Sequence, residues 1–172
     1  MIVRKTFIIA SALITAVTMT ASGVSSYEND DDSQASSDPS EKTIVGVWRT
    51  AITPRDCQTG AALAPPFRGL ITFHEGGTLS EFGVGPGSTP ALRSPGHGVW
   101  RREHGWRDYS FSFTHYRYDV SGALIGSNDI TSELELEASG DEYTTSSAVQ
   151  VFNASGNLIA NACVTTAGTR FE

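Results

Sequence analysis

Residues 106–170 read WRDYSFSFTHYRYDVSGALIGSNDITSELELEASGDEYTTSSAVQVFNASGNLIANACVTTAGTR. Three Ser-Gly pairs punctuate this stretch: Ser121-Gly122, Ser139-Gly140 and Ser155-Gly156. With Gly105, the turn glycines are spaced by 17, 18 and 16 residues. Glycine accepts the positive φ that tight hairpins require. A strand of about 12 residues plus a short turn gives this period. The spacing therefore predicts consecutive antiparallel strands over 106–118, 123–138, Glu142–Asn153 and 157–170. Outward from it, four shorter runs rich in β-branched and aromatic residues cover 44–53, 68–75, 78–84 and 96–103. Helical periodicity nowhere extends beyond a couple of turns. Eight strands in sequential order predict an all-β fold, an eight-stranded antiparallel up-and-down β-barrel, which removes exposed sheet edges. A sandwich of the same strands is the rival architecture.

Alternation assigns the faces. Leu134 and Leu136 alternate with Glu133, Glu135 and Glu137, so the leucines face inward and the glutamates face water. Tyr109, Phe111, Phe113, His115 and Arg117 share one face of the fifth strand. That face is assigned to the interior, because a slip of one residue would expose three aromatics. Its far end is polar, which places His115 and Arg117 at a barrel mouth. Tyr143, Thr145, Ser147, Val149 and Val151 share a face of the seventh strand. Such a mixed interior suits a partly polar cavity, or a packed core.

The 172 residues carry a formal net charge of −7, which divides unevenly. Residues 1–23 read as a signal peptide: Arg4 and Lys5 precede an apolar run over 7–17, and small residues follow. The run is too short for a membrane span of about 20 apolar residues, so no stable membrane insertion is expected. Residues 24–43 form an acidic, Ser-rich tether of net −5, too polar to offset its own ordering entropy. Residues 44–172, the barrel domain, carry −4. This acidity argues against nucleic acid as a partner, since a nucleic-acid binder needs a basic face. A secreted or periplasmic location is expected.

The domain opens with Gly46-Val47-Trp48 and ends with Gly168-Thr169-Arg170. This G-x-W on the first strand with an Arg on the last resembles the calycin superfamily, in particular lipocalin-like barrels. The resemblance implies that Trp48 closes the barrel floor and that Arg170 packs across its ring. The loop between the first two strands would lie over the mouth. Arg49, Thr50, Ala51 and Ile52 follow Trp48, which departs from the G-x-W-x-G-x-G of haem-binding nitrobindin-like barrels, and no cofactor is expected. In a closed barrel the first and last strands are neighbours, so Cys57 and Cys163 can meet. In an exported chain one cysteine pair favours a disulfide, with two separate thiols as the alternative.

Chemical motifs are sparse. His74, His97, His104 and His115 lack metal-ligand spacing, and no metal site is expected. No G-x-S-x-G, P-loop or dinucleotide fingerprint occurs, and no catalytic residue is assigned. Loops 54–67 and 85–95 exceed ordinary hairpin length and suit a mouth or lid. The leading expectation is a barrel that binds a small, partly apolar molecule. Tyr109, Phe111, Phe113, Leu134 and Leu136 would line its interior, and His115 and Arg117 would recognise a polar or anionic group. An isomerase- or cyclase-like enzyme using His115 and Arg117 is a second reading. A protein-binding module, such as an exported inhibitor, is a third.

Overall fold

The structure is a computed structural model that describes residues 42–171. The signal segment and all but the last two residues of the tether lie outside the described residues. Eight strands run in chain order: β1 (Gly46–Arg55), β2 (Phe67–Phe73), β3 (Thr78–Gly83), β4 (Gly96–Arg102), β5 (Asp108–Tyr118), β6 (Leu124–Leu136), β7 (Glu142–Asn153) and β8 (Leu158–Arg170). Each pairs antiparallel with the next, and β8 pairs with β1 to close the barrel. A single 3-10 turn, Pro90–Leu92, interrupts the loop between β3 and β4.

The predicted hairpins are the observed ones. Gly122, Gly140 and Gly156 take φ of 82°, 78° and 80°. In two of these turns a side chain braces the bend. The Asp119 carboxylate accepts from the Ser121 and Ala123 amides, and the Asn153 carbonyl from those of Ser155 and Asn157. In these two turns the Asp or Asn two residues before the Ser supplies an acceptor for amides that the bend leaves unpaired.

The first strand begins and ends two residues later than expected. Pro54 has no N–H to donate, so the ladder to β2 stops at Ile52↔Phe67. On its other side β1 continues to Arg55↔Cys163 of β8. Ile44 leaves the strand and is fully buried, and its carbonyl accepts the indole N–H of Trp48 at 2.9 Å.

Inward-facing residues form two storeys. At the end where the chain enters and leaves the barrel, Trp48, Phe73, Leu79, Leu136 and Tyr143 are at most 2 % exposed. Ring pairs lock this layer together: Trp48 and Tyr143 meet edge-on at 4.9 Å, and Phe73 and Phe111 at 5.5 Å. The Arg170 guanidinium lies 4.3 Å over the Trp48 ring and donates to the Thr43, Val45 and Gly140 carbonyls. One side chain thereby seals the floor and satisfies three backbone acceptors.

Cys57 and Cys163 form a disulfide with Cα atoms 5.3 Å apart, as predicted from the adjacency of the first and last strands. It ties the loop after β1 to the outer face of β8 near the opposite, open end. Among the described residues no helix is long and apolar enough to cross a membrane.

Candidate functional site

The upper storey differs chemically from the floor. From β5 and β6 it receives His115, Arg117 and Asn128, and from β3 it receives Glu81. The register sets His115 opposite Asn128 and Arg117 opposite Gly126. From β7 and β8 come Val149, Val151, Ala160, Ala162 and Val164, on the same face as buried Thr145 and Ser147. Polar groups thus form one wall, on β3, β5 and β6, and small apolar groups line the adjoining β7 and β8. β8 pairs with β1 only as far as Cys163, so Ala160 and Ala162 lie on a β7–β8 hairpin that runs past the end of β1, and both are exposed. The barrel is therefore packed at the floor, and at the opposite end the β7–β8 hairpin overhangs it with an inward-facing strip of small apolar residues.

A buried ion pair sits between the storeys. Arg93 enters from the loop between β3 and β4, and its Nη2 donates to Glu81 Oε2 at 2.6 Å. The two side chains are 10 % and 7 % exposed. Arg93 also donates to the Gly83 and Ser94 carbonyls. Gly96 makes room for this arrangement: a Cβ there would stand 2.8 Å from Glu81 Oε2 and 2.7 Å from the Phe113 ring. Burial raises the Glu81 pKa from its ordinary value, and the Arg93 charge opposes that shift.

His115 is 8 % exposed. Burial, assisted by the Arg93 charge, lowers its pKa to about 4, so the ring is neutral at physiological pH. The Asn128 amide Nδ2 lies 3.3 Å from His115 Nε2, and Nδ1 is 3.5 Å from the Tyr116 carbonyl. An amide N–H donating to Nε2 places the ring proton on Nδ1. Arg117 donates through Nη2 to the Phe152 carbonyl at 2.7 Å. Gly126 permits that reach: its φ is +148°, and a Cβ there would collide with the Phe152 carbonyl. Two buried atoms here have no hydrogen-bond partner, Arg117 Nε and Asn128 Oδ1.

The seven residues expected to contact a ligand divide between the storeys. Tyr109, Phe111, Leu134 and Leu136 belong to the packed aromatic and aliphatic core. Phe113 packs against that core from above, while His115 and Arg117 stand in the polar wall. Sequence reasoning missed Glu81, Arg93 and Asn128. Asn128 was within reach, since it shares the parity of Ile130, Ser132 and Leu134. His74, His97 and His104 do not join His115: His74 bonds Ser80 on the outer surface, and the other two are exposed. Among the described residues no His, Cys, Asp and Glu side chains gather in a metal-binding group.

A separate groove of about 1090 Å³ crosses the outer face of β5 to β8 and β1. Outward residues such as Thr53, Ser110, Thr131, Thr144, Ser146 and Thr165 line it. None of its lining residues belongs to the polar wall.

The closed eight-stranded antiparallel barrel is consistent with a calycin-like fold. No known protein family and no curated protein matches this chain.

Proposed function

We propose that this protein is an exported, lipocalin-like barrel that binds a small, partly apolar molecule at its open end. The carrying observation is that, beyond the packed floor, the inward face of β7 and β8 carries small, partly exposed apolar residues beside a polar wall on β5 and β6. Interfaces of this kind fix one end of a ligand by hydrogen bonding and cover the other by burial. The mouth rim fits the reading. Val120, Leu124 and Leu158 are exposed there, at hairpin turns that carry no Lys or Arg. The disulfide and the signal-like residues 1–23 support export.

Binding is favoured over catalysis by the state of His115. Its Nε2 is already engaged by Asn128, and its depressed basicity suits a fixed neutral partner better than a proton acceptor working near neutrality. Titration with the neutral dye N-phenylnaphthylamine tests the proposal. Saturable uptake at one site is expected, and Ala162→Trp, which adds bulk to the inward face of β8 from an exposed position, should abolish it. An unsaturable response, or uptake indifferent to Ala162→Trp, would overturn the reading.

A further inference from the structure

The barrel is closed, yet its longest strands outrun their neighbours. At the open end β5 to β8 project beyond β1 and β4. The two edges of this projection are treated differently. On β5 the loop before β4 covers the edge: Arg93 bridges Arg117, and the Ser94 amide donates to the Tyr116 carbonyl. On β8 the pairing with β1 ends at Arg55↔Cys163. Beyond that point the chain turns away from β8 and folds back, so that Ala62 bridges Arg55 on its other side. Residues 158–162, LIANA, therefore pair with β7 alone. Among the described residues no other backbone bond or bridge reaches them, and all five are exposed.

A strand edge with unpaired N–H and C=O groups is a template for another strand. Folded proteins blunt such edges with lysine, proline, a cover or a bulge. Residues 157–162 hold no ionisable side chain and no proline. The blunting device present is the register shift beside Ile159, and past it Ala160, Asn161 and Ala162 keep regular register with Val151, Gln150 and Val149. The side chains flanking the edge are apolar as well as exposed, 47 % for Leu158 and 58 % for Ile159.

The segment is complementary to itself. Antiparallel pairing about a two-fold axis at Ala160 sets Leu158 opposite Ala162 of the other copy, and Ile159 opposite Asn161. Each copy then gives and receives the same main-chain bonds. The barrel domain carries a net charge of −4, so two copies repel over most of their surface and approach best through an uncharged segment. With one such edge on β8, assembly closes at two copies and does not propagate.

We infer that the protein self-associates as a two-fold dimer by strand addition, residues 158–162 of one copy pairing antiparallel with the same residues of a second. The product is a continuous sheet in which β5 to β8 of one copy run on into β8 to β5 of the other. The two open ends then lie side by side. A ladder of five residues spans about 17 Å, which places the contact among small interfaces with dissociation in the micromolar range.

Sedimentation equilibrium of the full chain from about 1 to 500 µM should show monomer converting to dimer and no larger species. Over the same range, amide exchange of residues 158–162 should slow about fivefold or more, while that of β6 stays unchanged. Charges placed at directly opposed positions then read the register. Ile159→Asp and Asn161→Lys should each weaken the dimer about tenfold or more, and their equimolar mixture should recover it to within about threefold of the native chain. A native chain that stays monomeric throughout would overturn the inference, as would association that leaves exchange at 158–162 at its dilute rate. Loss in each variant without recovery in the mixture would overturn the two-fold register, and this pairing with it. Sedimentation and exchange of the native chain need no variant, so they decide the matter even where a substituted chain fails to fold.

Discussion

His115 is held in the wall by hydrogen bonds that suit a neutral ring, and this makes the protein sensitive to acid. Its folded pKa of about 4 lies below the ordinary histidine value of 6.5. Between those two values the unfolded chain binds a proton that the folded chain refuses. Stability from this residue is therefore complete above pH 6.5 and drains away as pH falls toward 4. The loss between pH 7.5 and pH 5 is about 2 kcal/mol by linkage. Glu81 works the other way: its raised pKa favours folding at low pH, in a window that begins at its ordinary value of 4.5 and so overlaps that of His115. Urea denaturation at the two pH values, for the native chain and His115→Gln, isolates the contribution. The native chain should lose about 2 kcal/mol more than the variant on acidification. Parallel losses in the two proteins would show that His115 is charged in the fold, and the neutral-ring geometry would be wrong.

At the scale of elements, the disulfide joins what the strand ladder leaves apart. Pro54 ends the pairing of β1 with β2, and the loop that follows must reach Phe67 before the ladder resumes. Cys57 anchors that loop to β8 instead. The bridge spans 106 residues, so nearly the whole barrel lies inside the closed loop. In the chain-entropy account a loop of this size contributes about 4.7 kcal/mol through the unfolded state. The paired variant C57S/C163S should accordingly unfold at markedly lower denaturant, with its circular dichroism spectrum retained. An unchanged midpoint would mean that the unfolded chain is already constrained. The adjacency behind this bridge was legible in sequence order alone, as were β5 to β8, whose Ser-Gly turns and strict alternation state period and face together. Glu81 with Arg93 was not legible. Arg93 belongs to a Gly- and Pro-rich loop with no period, and only the closed barrel reveals that this loop dips inward. Asn128 was hidden for a different reason. It lies in the polar run Gly126-Ser127-Asn128-Asp129, where alternation of hydrophobicity vanishes although alternation of facing continues.

The whole barrel is asymmetric in strand length, and that asymmetry sets where it opens. β5 to β8 pair over 11 registered positions at each of their three seams, whereas β3 and β4 share only 4. The β3–β4 seam also has the long loop above it and Gly96 and Gly98 within it, which contribute no side-chain packing. Local opening is governed by such differences in buried contact and paired backbone. Arg93 is the element that offsets the weakness, since it leaves the loop to bind Glu81 and Gly83 of β3 while the neighbouring Ser94 exchanges backbone and hydroxyl bonds with Tyr116 of β5. It thus staples the loop across the weak seam. Removing one partner of a buried ion pair strands the other charge and costs about 3–5 kcal/mol. Amide hydrogen exchange should therefore be fastest, among the strands, in β3 and β4 and slowest in β6 and β7. Arg93→Ala should accelerate β3 and β4 by two orders of magnitude or more while β6 and β7 shift far less. Uniform acceleration of all eight strands would mean that the barrel opens as one cooperative unit, with no seam weaker than the rest.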